Sequence, residues 1–174
     1  IDLSLQTQNI KLKDFSWTTT FIYAKNENKI TKLYVDASIS DMVRGSGFSK
    51  EGYPVSSIFS IPFRGLNSEG LPTFADSNGN TTIDGIRFDQ RDNLDFLSYS
   101  GTTKPTDVGS LGNLFTYKGL SLNVLLTYSF GNVLRLPTAF KANYDNDALA
   151  LPKEFVNRWM QPGDEHRTQV PAIA

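Results

Sequence analysis

After the dipeptide Lys118-Gly119, eleven consecutive residues alternate between apolar and polar. Leu120, Leu122, Val124, Leu126, Tyr128 and Phe130 share one face of an extended chain, and Ser121, Asn123, Leu125, Thr127 and Ser129 share the other. At about 3.3 Å per residue the run is roughly 36 Å long, and a tilt near 40° still leaves it about 27 Å tall. Strands of ordinary globular domains stop at about 5 to 6 residues. Such a tall apolar row, in a chain only 39% hydrophobic, suits a strand that crosses a membrane.

Lys118-Gly119 lies between two patterned runs at the spacing of a two-residue hairpin turn, which sets Tyr117 opposite Leu120, Phe115 opposite Leu122, Asn113 opposite Val124 and Leu111 opposite Leu126. Phe115 and Tyr117 mark one end of the apolar face and Tyr128 and Phe130 the other, the girdle arrangement of a membrane barrel. Asn113 breaks the row. A weaker alternation near the N-terminus puts Ile1, Leu3, Leu5 and Thr7 on one face, followed by Phe15, Trp17, Thr19, Phe21 and Tyr23. Keeping these rows together predicts pairs Ile1 with Tyr23, Leu3 with Phe21, Leu5 with Thr19 and Thr7 with Trp17, around a loop of about five residues at "IKLKD". A tighter turn at Lys13 and Asp14 requires a bulge, because Ile10 and Leu12 have the wrong parity.

Residues 26–107 are irregular and rich in Gly, Asn, Asp, Ser and Pro. Within them "YPVSSIFSIPFRG" predicts a further strand with Val55, Phe59, Ile61 and Phe63 on one face, weakened by Pro62. Another is expected within 66–100, giving about six strands. In the tail, Pro152 as first helical residue, with Glu154–Arg158 and Phe155–Trp159 at i,i+4, predicts a short loop helix ended by "QPG". The long connections, roughly 31–52 and 133–174, are expected outside the cell and the turns near 13 and 118 in the periplasm; cysteines at Ser46 and Lys118 would report this.

The formal net charge of −1 gives no reason to expect nucleic acid. The absence of cysteine excludes disulfides and cysteine-ligated metal. The longest apolar stretch, "ALALP", falls far short of the about 18 residues of a spanning helix. "IDLSLQTQNI" has no initiator Met and no signal-like region, so the chain is expected to be part of a longer protein. "DSNGNTTID" offers Asp76, Asn78, Asn80, Thr82 and Asp84 as oxygen ligands, but Thr81 and Arg87 stand where a calcium loop needs Gly and Glu, and an Asn-Gly turn accounts for it. His166, the sole histidine, lies in "GDEHRTQ" with no G-x-S-x-G elbow anywhere. Asp84, Asp89, Asp92 and Asp95 suit a solvated loop, and "GSGFSKEG" lacks the ending of a phosphate loop. Tyr53, Phe74, Phe88, Phe96 and Tyr99 suit either sugar stacking or loop packing. No catalytic residue, metal site or cofactor is expected.

"KDFSWTTTFIYAKNENKITKLY", "EGYPVSSIFSIPFRGLNSEGLPTFADSNGN", "GNLFTYKGLSLNVLLTYSFGN" and "VNRWMQPGDEHRTQVP" together resemble, in order, the C-terminal part of the barrel of SusC/RagA-type TonB-linked outer-membrane transporters. The resemblance implies an all-β fold: antiparallel strands forming part of a large transmembrane β-barrel, with long extracellular loops and one short loop helix across residues 1–174, in the bacterial outer membrane. It implies a barrel of about 22 strands around a plug, a SusD-like lipoprotein and TonB as partners, lipid around the wall, and glycan or peptide as imported nutrient. It carries over no catalytic residue and fixes no substrate contact. Plug and closing strands are expected elsewhere in a longer protein, so these residues are expected to transport nothing alone. The alternatives are a soluble β-sandwich that binds carbohydrate and a glycosidase fragment.

Overall fold

The structure, a computed structural model, describes residues 1–45, 47–136 and 153–172. Pro152 and Ser46, named above, lie outside them, as does all of "ALALP". Four long strands, β1 (Asp2–Lys11), β2 (Phe15–Lys25), β8 (Asp107–Tyr117) and β9 (Leu120–Phe130), form one antiparallel sheet in the order β1-β2-β8-β9. Between β2 and β8 come the helix α1 (Ile39–Val43) and five short strands: β3 (Ser57–Ser60), β4 (Phe63–Leu66), β5 (Pro72–Ala75), β6 (Thr81–Thr82) and β7 (Ser98–Thr102). β3 pairs with β7, and β4, β5 and β6 form a three-stranded sheet.

The β8–β9 hairpin has the predicted register, from Tyr117–Leu120 to Leu111–Leu126 and on to Asp107–Phe130. Lys118 and Gly119 both take positive φ, 46° and 85°, the sign pattern of the type I′ turn that matches strand twist. The N-terminal hairpin does not take the five-residue loop but the other expected form, a tight turn at Lys13 and Asp14 with a bulge. Leu3 pairs with Tyr23, Leu5 with Phe21 and Thr7 with Thr19, two residues away from the register of the looped form, and a bulge between Gln8 and Ile10 brings Ile10 opposite Trp17. The bulge corrects the parity of Ile10, so the chain turns tightly after Leu12, whose N–H donates to the Phe15 carbonyl at 2.7 Å.

The strands expected at 53–65 and within 66–100 do not join this sheet. β2 pairs directly with β8, from Phe15–Tyr117 to Lys25–Asp107. The wall therefore has four strands among the described residues, against the six expected. The run read as one strand is two, separated at Ile61-Pro62, where proline removes a ladder donor.

The chain divides into two units. The first comprises Ile1–Leu33, Ser49–Ser57 and Gly101–Leu134 and holds the long sheet. The second comprises Tyr34–Phe48, Ile58–Ser100 and Arg135–Ala174. Every buried apolar side chain among the described residues, Ile39, Met42, Ile58, Phe59, Ala75, Leu97 and Phe155, belongs to the second unit. There Ser38 starts α1 with a reciprocal cap: its hydroxyl accepts from the Asp41 N–H at 3.2 Å, and its own N–H donates to Asp41 Oδ2 at 2.9 Å. These bonds to the Ser38 backbone and hydroxyl hold the Asp41 carboxyl below the ordinary aspartate range. The cap turns Ile39 and Met42 inward.

The predicted tail helix is a 3-10 helix, Lys153–Asn157. At about three residues per turn, positions i and i+4 no longer superpose. Glu154 and Arg158 accordingly form no ion pair, and Arg158 instead donates to the Phe155 carbonyl at 3.3 Å.

Candidate functional site

Register across β1, β2, β8 and β9 sorts their side chains into two faces. On one, successive rows read Leu120, Tyr117 and Phe15; then Leu122, Phe115, Trp17 and Ile10; then Val124, Asn113, Thr19 and Thr7; then Leu126, Leu111, Phe21 and Leu5; then Tyr128, Gly109, Tyr23 and Leu3; and finally Phe130, Asp107 and Lys25. The opposite face carries Ser121, Thr116 and Ser16, then Asn123, Leu114, Thr18 and Gln8, then Leu125, Gly112, Thr20 and Gln6, with Thr127, Ser110, Ile22 and Ser4 beyond. Period-2 alternation maintained over four strands gives an apolar face backed by a predominantly polar one.

None of the residues in these strands is buried. Leu120, Leu122, Leu126 and Phe130 are 60–75% exposed, which a sheet stacked on a second sheet would not leave. Aromatic side chains concentrate toward both ends of this face. Trp17 stacks on Phe115 with centroids 5.6 Å apart, and Tyr128 stacks on Phe130 at 5.5 Å. The Tyr128 ring lies across Gly109, where any Cβ would meet it, and its hydroxyl donates to the Ile22 carbonyl on β2 at 3.1 Å.

Asn113, the break in the apolar row, belongs to a hydrogen-bonded chain that crosses three strands. Thr7 donates to Asn9 Oδ1 at 2.9 Å, Asn9 Nδ2 donates to Thr19 at 2.6 Å, and Asn113 Oδ1 accepts from Thr19 at 2.8 Å and from Trp17 Nε1 at 2.9 Å. Asn9 sits in the bulge, so the irregularity that resets the register also supplies the amide. A polar row in an apolar environment is tolerable only when its groups bond one another.

The residues considered for chemistry stay apart. Asp76 closes a turn, its carboxylate accepting from the N–H groups of Asn78 and Asn80 at 2.9 and 2.8 Å. Burial pushes this carboxyl up, but the bonds from Asn80, Asn78 and Gly79 outweigh it and leave it below the ordinary range. Asp84, Asp89, Asp92 and Asp95 are all exposed. His166 is exposed beside Glu165, at 3.9 Å. Among the loop aromatics, Phe74 packs on Phe63 at 5.9 Å and Tyr99 on Phe59 at 5.8 Å, while Phe88 remains 49% exposed. No group of metal-ligating side chains assembles among the described residues.

The "RW…PGD" stretch has a tightly bonded arrangement. The Trp159 ring lies against Gly70, where a Cβ would fall 2.5–2.8 Å from it. Glu165 Oε2 accepts from Trp159 Nε1 at 3.1 Å and from the Gly163 N–H at 2.8 Å. Glu165's own backbone N–H, the Trp159 indole and the Gly163 amide hold its carboxyl below the ordinary glutamate range. A depressed folded-state pKa stabilises the loop above the unfolded value, about 4.3, and that stability is lost as pH falls through the folded value. Trp159 emission, read with other tryptophans replaced by Phe, is therefore expected to stay constant from pH 7 to 5 and change only in stronger acid. A transition above pH 5 would contradict this, and Glu165→Gln should remove the acid step.

No protein-family model matches the chain. TonB-dependent receptor P3 of Formosa agariphila is 23% identical over 189 residues, covering 99% of this chain and 18% of the relative. A chain from the structure of the RagAB peptide importer in its closed-closed state matches with a TM-score of 0.68 and 24% identity, over 99% of this chain and 19% of that one. The fold is that of part of a SusC/RagA-type outer-membrane barrel. This chain spans about a fifth of the length of these relatives. The face from Leu120 to Phe130 is the more apolar one and carries aromatic side chains at both ends, whereas Ser121, Asn123 and Thr127 lie on the opposite face. Such barrels reside in the bacterial outer membrane, and the sheet's uncovered apolar face suits that setting. The apolar band was legible in sequence; the Asn9–Thr19–Asn113 chain was not, because it depends on the exact place of the bulge.

Proposed function

We propose that these residues form one wall sector, with its attached loops, of a TonB-dependent outer-membrane transporter that imports large nutrients, glycan or oligopeptide, together with a SusD-like surface lipoprotein. The observation that carries this reading is the long sheet without a single buried residue, apolar on one face and lined with hydroxyls and amides on the other. A carbohydrate-binding sandwich would bury one of those faces. The polar face offers passing cargo hydrogen-bonding groups in place of water, and the likeness to a TonB-dependent receptor and to a peptide importer supports import over passive diffusion. A wall and its loops have no bond to make or break, so this reading assigns no catalysis to the chain.

Transport is tested in cells carrying the full-length protein, by uptake of labelled oligopeptide and oligosaccharide before and after deletion of its gene. Uptake of one class that disappears with the gene and with TonB is expected; unchanged uptake of both would reject the reading. Orientation is tested with an impermeant thiol reagent on intact cells. Both two-strand turns, at residues 12–14 and 118–119, lie at the same end of the sheet. A cysteine at Asn78, in an exposed loop turn, is expected to react, and one at Lys118 to remain protected. The reverse pattern would invert the topology.

A further inference from the structure

The loop after the 3-10 helix Lys153–Asn157 closes on itself. The Trp159 N–H donates to the Val170 carbonyl at 2.9 Å, and the Thr168 N–H to the Asp164 carbonyl at 3.0 Å. These bonds frame a cavity of about 480 Å³ whose lining includes Glu154, Asn157, Arg158, Asp164, Arg167 and Thr168. The Asp164 carboxylate is already engaged, accepting from the backbone N–H groups of Met160 and Gln161, each at 3.1 Å. Arg158 gives one bond, to the Phe155 carbonyl. The Arg167 guanidinium and the Glu154 carboxylate have no side-chain partner among the described residues. Two arginines thus line a cavity held by backbone bonds; the Arg158 guanidinium rests over the Phe155 ring at 5.9 Å and keeps donor capacity beyond its one bond. The planar fork of arginine matches a carboxylate better than any neutral hydroxyl.

We propose that this cavity is a substrate site that receives the terminal carboxylate of an oligopeptide, held by Arg158 and Arg167. The inference rests on the importer reading and narrows its cargo. The lining favours peptide over glycan on charge. Two arginines stand against two carboxylates, so the further charges of a polyanionic sugar would meet Glu154 and Asp164 as well as the arginines, and a neutral sugar would make no bidentate charge-assisted bond to either guanidinium. A peptide terminus brings one negative charge and polar amides, which Asn157 and Thr168 can meet.

The purified full-length protein in detergent is titrated with a fluorescent hexapeptide bearing a free C-terminus, with the same peptide as its C-terminal amide, and with a sulfated oligosaccharide. The free acid is expected to bind roughly tenfold more tightly than the amide, as charge-assisted hydrogen bonds imply. Arg158→Gln with Arg167→Gln should erase that preference while heat-modifiable migration shows a folded barrel, and lysine at both positions should restore part of it. A preference that survives the double glutamine variant, no preference in the unmodified protein, or tight binding of the sulfated sugar that the variant loses would each overturn the proposal. Uptake by cells separates the two claims: discrimination in binding without gene-dependent uptake sinks the importer reading and leaves the site standing, whereas uptake that ignores the C-terminus sinks the site alone.

Discussion

Arginine in place of Val124 is expected to destabilise the full-length barrel by about 2 to 4 kcal/mol in a bilayer refolding titration, the cost of a cation near the midplane of a barrel's lipid face. Val124 lies in the third of six rows, opposite Asn113 on β8, so its side chain sits as far as any on β9 from both aromatic ends. The neighbouring Asn123→Arg, one position along and on the opposite face beside Leu114, is expected to be nearly silent because its guanidinium reaches the watery lumen. The contrast between adjacent positions is the informative quantity. Equal effects at the two sites would mean that the apolar face does not meet lipid.

The second large effect is expected at Gly109. A Cβ there would fall on the Tyr128 ring and hydroxyl and on the Ile22 carbonyl. Gly109→Ala must therefore displace Tyr128 and strain the β2–β8 ladder that pairs Gly109 with Tyr23, a cost of about 1 to 3 kcal/mol by analogy with overpacked cores. Gly112, three residues on, makes a fair control. A Cβ there would meet the Leu125 side chain at 3.6 Å and the Thr20 carbonyl at 3.8 Å, which is ordinary contact. Gly112→Ala should leave the refolding midpoint essentially unchanged, and a loss equal to that of Gly109→Ala would mean that Tyr128 does not brace the seam.

What could be read from the sequence was local. Lys118-Gly119 set the β8–β9 register because both positions accept positive φ and the flanking runs keep strict alternation. The same reasoning left two registers open for β1 against β2, and the bulged one is found; composition could not choose between them or place the bulge, because Asn9 reads as another polar residue. "YPVSSIFSIPFRG" was read as a wall strand because a short apolar alternation looks the same whether it faces lipid or a small core. Ile58 and Phe59 are consecutive and both buried, which no two-faced wall strand allows. The helix α1 was missed although Ser38-Ile39-Ser40-Asp41 carries the capping-box spacing. The union of β2 with β8 lay beyond reach, because partners so far apart in sequence share no local signal. The loop cavity was illegible for a different reason: the predicted i,i+4 pairing of Glu154 with Arg158 assumed an α-helix where a 3-10 helix forms.

That distant union bears on how such a wall is assembled and altered. Each hairpin, β1–β2 and β8–β9, closes through a short turn and can form early, whereas joining β2 to β8 must wait for the ends of a connection of about 80 residues to meet. Because closure entropy grows only with the logarithm of length, that connection costs roughly 2 kcal/mol more than one of ten residues. Lengthening it by half again would add only a few tenths. Natural selection can thus exchange, extend or rewrite the residues between Asn26 and Thr106 while leaving the rungs of the long ladder untouched, a division of labour between a constant frame and a variable insert.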